Sequence, residues 1–337
     1  MVSSRRSVLL ALASALMGCR AAPAETARPS PEEAATRAPA PAPPAPPLPV
    51  RAPLGRSRTE LAPLRSSIAS LAPLHRRMGP PKSGEWLADH PEGGQSFEAY
   101  LSSDPVTPTE ERRALVVQPM GQLAPSDEAI VAAVSRYMEA FFGLPSRLAA
   151  PLTLDLVSPL GRRESRGYGE QLLTSHILRD VLAPRLPEDA MAYVAFTGVD
   201  LWPGEGWNYV FGQASLGDRV GVWSLARNGK SGPGSTGRRA RVRALKIATH
   251  ETGHMFGMRH CTAYLCNMAG VNSLDESDAH PTWLCPECLA KLSWATRSNP
   301  VEHLRRMLVV TRSMGMTDEV AHYEASLAAL GEARVAD

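Results

Sequence analysis

His250-Glu251-Thr252-Gly253-His254-Met255-Phe256-Gly257-Met258-Arg259-His260-Cys261 is the stretch of this 337-residue chain that decides both fold and chemistry. Two histidines four apart on a helix lie on one face, one turn above the other, where a single zinc ion reaches both imidazoles. Glu251 stands between them, its carboxylate available to act on a metal-bound water. Gly257 falls where such a helix must stop, because glycine takes left-handed backbone angles without strain, and the chain can then turn back to offer His260 as a third nitrogen. Three imidazoles leave the fourth tetrahedral position of zinc open, which distinguishes a catalytic site from a structural one. H-E-x-x-H alone also occurs on ordinary amphipathic helices. The glycine, the third histidine and the downstream Met268 are independent requirements that take the run beyond coincidence. Met268 has no evident ligand role; a soft, flexible side chain there can fill core beneath the histidines.

Four of the five cysteines follow at once, Cys261 and Cys266 as C-x4-C and Cys285 and Cys288 as C-x2-C, with 18 residues between the pairs. That spacing suits a tetrahedral zinc–thiolate knot. Two disulfides are the alternative, favoured if the protein works in an oxidising compartment. Because Cys261 adjoins His260, a knot would brace the third histidine and so reach function through geometry.

From His250 to Cys288 the chain resembles the archaemetzincins, zinc metallopeptidases of the metzincin clan. Their pattern extends H-E-x-x-H-x-x-G-x-x-H by an adjoining cysteine, a C-x-M and a distant C-x-x-C. Sixteen residues separate Met268 from Cys285 here, about one fewer than that pattern has, a small loop difference. The resemblance is strongest over residues 205–295. It implies His250, His254 and His260 as ligands of a catalytic Zn2+, Glu251 as catalytic base, Met268 as the Met-turn residue, and Cys261, Cys266, Cys285 and Cys288 as ligands of a second, structural Zn2+. Two zinc ions per chain follow. The implied fold is α/β (mixed α+β), a metzincin- or zincin-like twisted sheet with an active-site helix, to which C-terminal helices are added. No tyrosine lies just after Met268 to support an oxyanion, so that charge would rest mainly on the metal.

The fifth cysteine speaks to location. Residues 1–19 carry Arg5 and Arg6, an apolar stretch from Val8 to Met17, and Leu16-Met17-Gly18-Cys19, which reads as a bacterial lipoprotein signal with lipidation at Cys19. An ordinary cleaved signal peptide or an incidental apolar N-terminus is the alternative; the apolar stretch is too short to span a membrane. Ser4-Arg5-Arg6-Ser7-Val8-Leu9 also resembles a twin-arginine export signal, a route by which zinc and thiolates assembled in a reducing cytoplasm would be carried out intact. The expected location is the bacterial cell envelope, lipid-anchored and facing the periplasm or exterior, with the membrane contacted through the anchor alone. Residues 20–58 turn to alanine and proline, as in Ala38-Pro39-Ala40-Pro41, an extended spacer that buries no core. The formal charge of +2, with both signs well mixed, gives no reason to expect a nucleic-acid partner.

The remaining chain divides into an extension over 59–112, a catalytic domain over 113–298 and a helical hairpin over 299–337. The extension carries no clear signal and could cover the sheet or be a removable pro-segment. In the catalytic domain, strands are expected at Ala114–Pro119, Leu152–Val157 and Met191–Leu201, the last apolar on both faces as in a covered central strand. Helices are expected at Ser126–Phe142, where Ile130, Val134, Tyr137 and Phe141 share one side, at Gly167–Leu182, and at Arg238–Phe256. Trp207–Ala214 and Gly221–Leu225 read as a strand pair, with Gly212-Gln213-Ala214 or Val222-Trp223-Ser224 as an edge to which a substrate peptide could add. Asn299-Pro300 is a sound helix start for Val301–Met314, and Gly315 separates it from Thr317–Leu330. The expected activity is hydrolysis of peptide bonds in a peptide or protein substrate by a monomer. A non-catalytic zinc-binding envelope lipoprotein is the alternative, against which an intact Glu251 weighs, and hydrolysis of another amide such as a cell-wall peptide is a further one.

Overall fold

The computed structural model describes residues 58–332 except 166, 230, 231 and 233. The signal, Cys19 and nearly all of the Ala/Pro spacer lie outside the described residues.

The described residues open with α1 (Arg58–Leu71) and two short helices, α2 (Trp86–Asp89) and α3 (Phe97–Leu101). Strand β1 (Ala114–Met120) leads into α4 (Pro125–Phe142). Proline at the first turn, Asp127 and Glu128 against the helix dipole, and Gly143 in left-handed conformation at the exit set its limits. Ile130, Val134, Tyr137 and Phe141 are all buried, as their spacing requires. Then come β2 (Ser146–Leu148), β3 (Arg162–Ser165) and β4 (Gly169–Leu173), followed by α5 (Thr174–His176), which continues as a π-helix over Ile177–Leu182. Strands β5 (Ala190–Thr197), β6 (Asp200–Trp202), β7 (Gly212–Ser215) and β8 (Val220–Ser224) precede the long α6 (Gly234–Met255). Four helices close the described chain: α7 (Leu274–Ala279), α8 (Pro286–Thr296), α9 (Pro300–Ser313) and α10 (Thr317–Ala329).

Five strands form the main sheet in the order β2-β1-β5-β8-β7, with β7 antiparallel to β8 and the other neighbours parallel. β5 is buried along its whole length, as a covered central strand must be. Its alternate residues serve opposite layers. Ala192, Val194 and Phe196 join the core under α4 and α6, whereas Tyr193 and Ala195 face the core shared with Ile177, Val181 and Leu201. β3, β4 and β6 make a second, three-stranded sheet. The mixed α/β class, the strand pair β7–β8, the helix bearing the histidines and the two C-terminal helices agree with the sequence reading.

Four expectations are corrected. Met191–Leu201 is not one strand: β5 ends at Thr197, and Asp200–Trp202 joins the second sheet as β6. Leu152–Val157 is not a strand, because the Thr153 hydroxyl accepts from the Asp155 amide and draws Leu154–Leu156 into a 3-10 turn; Ser146–Leu148 pairs with β1 instead. Gly167–Leu182 is helical only in its second half. Gly167 and Gly169 hold positive φ, which breaks a helix, and residues from Gly169 pair with β3 and β6. Val222-Trp223-Ser224 is no edge, since β8 lies between β5 and β7; the free edge on that side is β7.

α1 and α3 pack on α8, and the Tyr100 hydroxyl donates to Phe256 O at 2.8 Å, at the very end of α6. At the other end of the chain, Asn299 and Glu302 form a capping box at the start of α9, and Gly315 (φ 66°) separates α9 from α10. His303, 2% exposed, bonds through Nδ1 to Phe141 O at 2.9 Å and ties α9 to α4.

Burial, reinforced by the nearby Arg306 charge, pulls His303 from 6.5 down to about 3. Its folded pKa is therefore below its unfolded one, so its contribution is complete above about 6.5 and is lost as pH falls toward 3. Urea titrations at a series of pH values should show stability declining over that window. The His303→Gln variant should show a shallower acid slope, by on the order of 1 kcal/mol per pH unit.

Candidate metal centre

α6 places His250 and His254 one turn apart, and their Nε2 atoms lie 3.0 Å from each other. The helix then ends as the glycine at 257 requires. Gly257 (φ 79°) gives its amide to His254 O at 2.8 Å and Met258 gives its amide to Gly253 O at 3.2 Å, a Schellman closure that reverses the chain. That reversal carries His260 back beside the other two rings. One nitrogen from each of the three lies within 4.8 Å of the others, and all three residues are buried.

Every Nδ1 of the trio is occupied. His250 Nδ1 bonds to Asn267 O at 2.7 Å, His254 Nδ1 to Met258 O at 2.6 Å, and His260 Nδ1 to Glu92 at 2.8 Å and 3.1 Å. Carbonyl and carboxylate oxygens only accept, so each Nδ1 carries the proton and each Nε2 presents a lone pair inward. Burial, then the neighbouring rings, pull His250 well below its ordinary pKa, and burial and His260 take His254 down to about 3. His250 and His254 are thus neutral bases, and the three rings converge on one buried point. Two lone pairs 3.0 Å apart repel unless a cation lies between them, and a borderline-soft dication suits this donor set.

Glu251 lies on the same helix, 2% exposed, and its Oε1 has no hydrogen-bond partner. Burial pushes it from 4.5 up to about 8, and a dication beside it acts in the opposite direction. Beneath the helix sits Met268, fully buried. A Cβ at Gly253 would lie 2.6 Å from Met268 Sδ, so glycine within H-E-T-G-H is what lets this methionine approach the helix. The loop holding it is fastened by Cys261 N to Met268 O at 2.7 Å, and by Asn267 Nδ2 to Thr249 Oγ1 at 2.8 Å.

Cys261, Cys266, Cys285 and Cys288 form a second buried group, their Sγ atoms within 4.8 Å of one another and joined by no disulfide. Cys261 Sγ and Cys285 Sγ are 3.6 Å apart, well beyond a covalent bond. Cys266 Sγ accepts the amides of Cys285 at 3.1 Å and Met268 at 3.4 Å. Burial, then the three neighbouring sulfurs, push the Cys266 thiol well up. Four convergent sulfurs are the donor set of a structural zinc site.

A cleft opens beside His250, with Ile247, Phe211 and Leu274 as apolar walls and Lys246 deeper in. The Lys246 ammonium donates to Ser277 O and His280 O, and burial pulls it down to about 8. Glu92, Asn267 and Gly253 belong to the site although sequence reasoning did not single them out. Asn267, inside C-x-M, and Gly253, inside H-E-x-x-H, stood within recognisable motifs; Glu92 had no local signal.

Residues 203–294 match the model of peptidase family M54, and with that match the buried trio of His250 and His254 on α6 and His260 after it makes the chain a zinc metallopeptidase. It is 34% identical over 257 residues to Archaemetzincin-2 of Pongo abelii, covering 66% of this chain and 71% of that one, and 27% identical over 267 residues to Archaemetzincin-1 of Homo sapiens, covering 68% and 52%. A crystal structure of archaemetzincin from Methanopyrus kandleri is 24% identical and covers 57% of this chain and 99% of that chain, with a TM-score of 0.44. The chain belongs to the archaemetzincin family.

Gly253→Ala should force Met268 aside and destabilise the fold by about 1–3 kcal/mol, the usual range for overpacking. Paired with Met268→Ala in a double-mutant cycle of urea denaturation, the two losses should be less than additive by more than about 0.5 kcal/mol. Additive losses would show that the methionine does not need the glycine.

Proposed function

We propose that this metallopeptidase cleaves peptide bonds at His250, His254 and His260, with Glu251 as the general base and a second zinc held by Cys261, Cys266, Cys285 and Cys288. The observation that carries this reading is that all three Nδ1 atoms are engaged, which leaves three Nε2 lone pairs converging beside an unpartnered carboxylate oxygen. Zinc held by three imidazoles supplies a Lewis acid with an open position that polarises a carbonyl and acidifies water. Glu251 then takes the proton from the attacking water and delivers it to the leaving amine nitrogen, so no covalent acyl-enzyme forms. Its place on α6, one residue from His250 and with Oε1 unengaged by any other group, leaves that carboxylate available for the proton transfer.

Substrate chemistry follows from the cleft. β7 offers unpaired backbone groups along its free edge, and an extended peptide can add there as a further strand, with a side chain directed toward the apolar walls formed by Phe211, Ile247 and Leu274. Met268 sits under the helix as the Met-turn residue and keeps the floor of the site fixed. We also propose that the mature protein is tethered by lipid at Cys19 outside the cytoplasmic membrane, on the strength of Leu16-Met17-Gly18-Cys19 behind an apolar run. No helix among the described residues is long and apolar enough to cross a membrane.

The test is metal content beside peptide cleavage. Glu251→Gln should keep its zinc and lose cleavage by roughly 10²–10⁴-fold, the share typical of general-base catalysis. His254→Ala should lose both. Cleavage retained in Glu251→Gln would remove that residue from the role of base.

Metal analysis of the Cys285→Ser, Cys288→Ser double variant should give one zinc per chain against two in the parent. One zinc in both would leave the cysteines without a metal and restore the disulfide alternative.

A further inference from the structure

Of the three histidines, His260 alone is held by a charged side chain, and that side chain comes from far away in the sequence. His250 and His254 direct their Nδ1 atoms to backbone carbonyls that no substitution removes. His260, 2% exposed, gives its Nδ1 proton to Glu92, 168 residues upstream in the extension that precedes the sheet. Glu92 is itself fixed. Trp86 Nε1 donates to its Oε1 at 2.6 Å, and the Trp86 ring meets the His260 ring edge-on with centroids 5.2 Å apart. Trp86 fits there because Gly270 has no side chain; a Cβ at that position would come within 2.4 Å of the indole. The segment continues to Gln95, which accepts the Arg259 amide at 3.1 Å and donates to Gly257 O at 3.3 Å, bracing the turn that delivers His260.

We propose that Glu92 is a positioning residue of the catalytic metal centre, holding His260 in the tautomer and orientation that present Nε2 to the metal. The proposal rests on His250, His254 and His260 being the zinc ligands. Glu92 binds the far nitrogen of the ring, on the side away from the convergent lone pairs, so it acts through His260 and does not touch the metal. A carboxylate is a stronger acceptor than a carbonyl, and accepting from the distal N–H makes the imidazole a more basic ligand. An exposed ion pair contributes little to any site. Here the donor is buried and the acceptor receives a second, indole hydrogen bond, so the orientation is set by more than a surface contact. On this assignment the extension completes the metal centre and is not a detachable mask over it.

The experiment is zinc affinity of the full chain by chelator competition, with the visible spectrum of the cobalt-substituted protein recorded alongside, for Glu92→Ala, Glu92→Gln and Gln95→Ala. Glu92→Ala should weaken the His254-dependent zinc by about 10- to 100-fold, alter the cobalt spectrum and leave the cysteine-bound metal unchanged. Glu92→Gln, which keeps an acceptor oxygen, should recover part of the affinity. Gln95→Ala removes one brace of the turn that delivers His260 but leaves Glu92 on the ring, so it should weaken the same zinc clearly less than Glu92→Ala does. Parent-like affinity and spectrum in Glu92→Ala overturn the proposal. Equal weakening in Glu92→Ala and Gln95→Ala overturns it too, since the strap and not the carboxylate would then hold the ring. A parent protein that binds no zinc sensitive to His254→Ala overturns the zinc reading itself, and Glu92's role with it.

Discussion

Three imidazoles whose ring nitrogens meet at one buried point are the constraint to which the rest of the molecule answers. Left alone, such an arrangement is unfavourable: the rings repel, and their burial removes the water that would satisfy them. It persists because each ring is fixed from behind, by Asn267 O, Met258 O or Glu92. Those three acceptors come from three different parts of the chain. Asn267 is held by the loop that closes through Cys261 and Met268, Met258 by the Schellman turn, and Glu92 by the packing of Trp86. The sheet and α4 supply a rigid back wall for α6, so the helix cannot yield to relieve the crowding.

Glycine makes much of this closeness attainable. Gly253 gives Met268 its place under the helix, Gly257 permits the reversal, and Gly270 admits the Trp86 indole. At two of these positions the requirement is space, and at Gly257 it is a left-handed backbone combined with the near approach of Pro105. Glycine inside a helix ordinarily weakens it by up to about 1 kcal/mol, so Gly253 is a local loss accepted for the contact beneath it.

The legible parts of the sequence were those whose meaning is local. His250, His254, Gly257 and His260 lie within eleven residues, and helix geometry alone converts their spacing into a shared site. The four cysteines converge as their pairing suggests, and the apolar stripe of α4 and the two-sided burial of β5 follow from period and composition. Where the reading failed, a short-range competitor decided the outcome. Thr153 captured an amide and turned a β-like run into a 3-10 turn, and glycines with positive φ broke a helical pattern after residue 166. Glu92 was invisible for the opposite reason. Its partner is 168 residues away, and nothing in His90-Pro91-Glu92-Gly93-Gly94 marks a carboxylate that will end beside a histidine.

His260 and Cys261 are consecutive, yet they belong to different centres, and this adjacency couples them. A peptide unit cannot let one neighbour move while the other stays. If Cys261 is drawn toward its three partner sulfurs, the backbone at residue 260 is fixed, and with the ring's Nδ1 already committed to Glu92 little freedom remains to the third imidazole. α8 then carries the constraint outward. Cys285 caps it, Cys288 lies in its first turn, Glu287 accepts the Phe97 amide at 2.6 Å, and the Lys291 ammonium donates to Gln95 O. The same helix therefore anchors the sulfur cluster on one side and the Glu92 strap on the other. His260 is clasped between two structures rooted in α8, which makes that helix the frame of the third imidazole just as α6 is the frame of the first two.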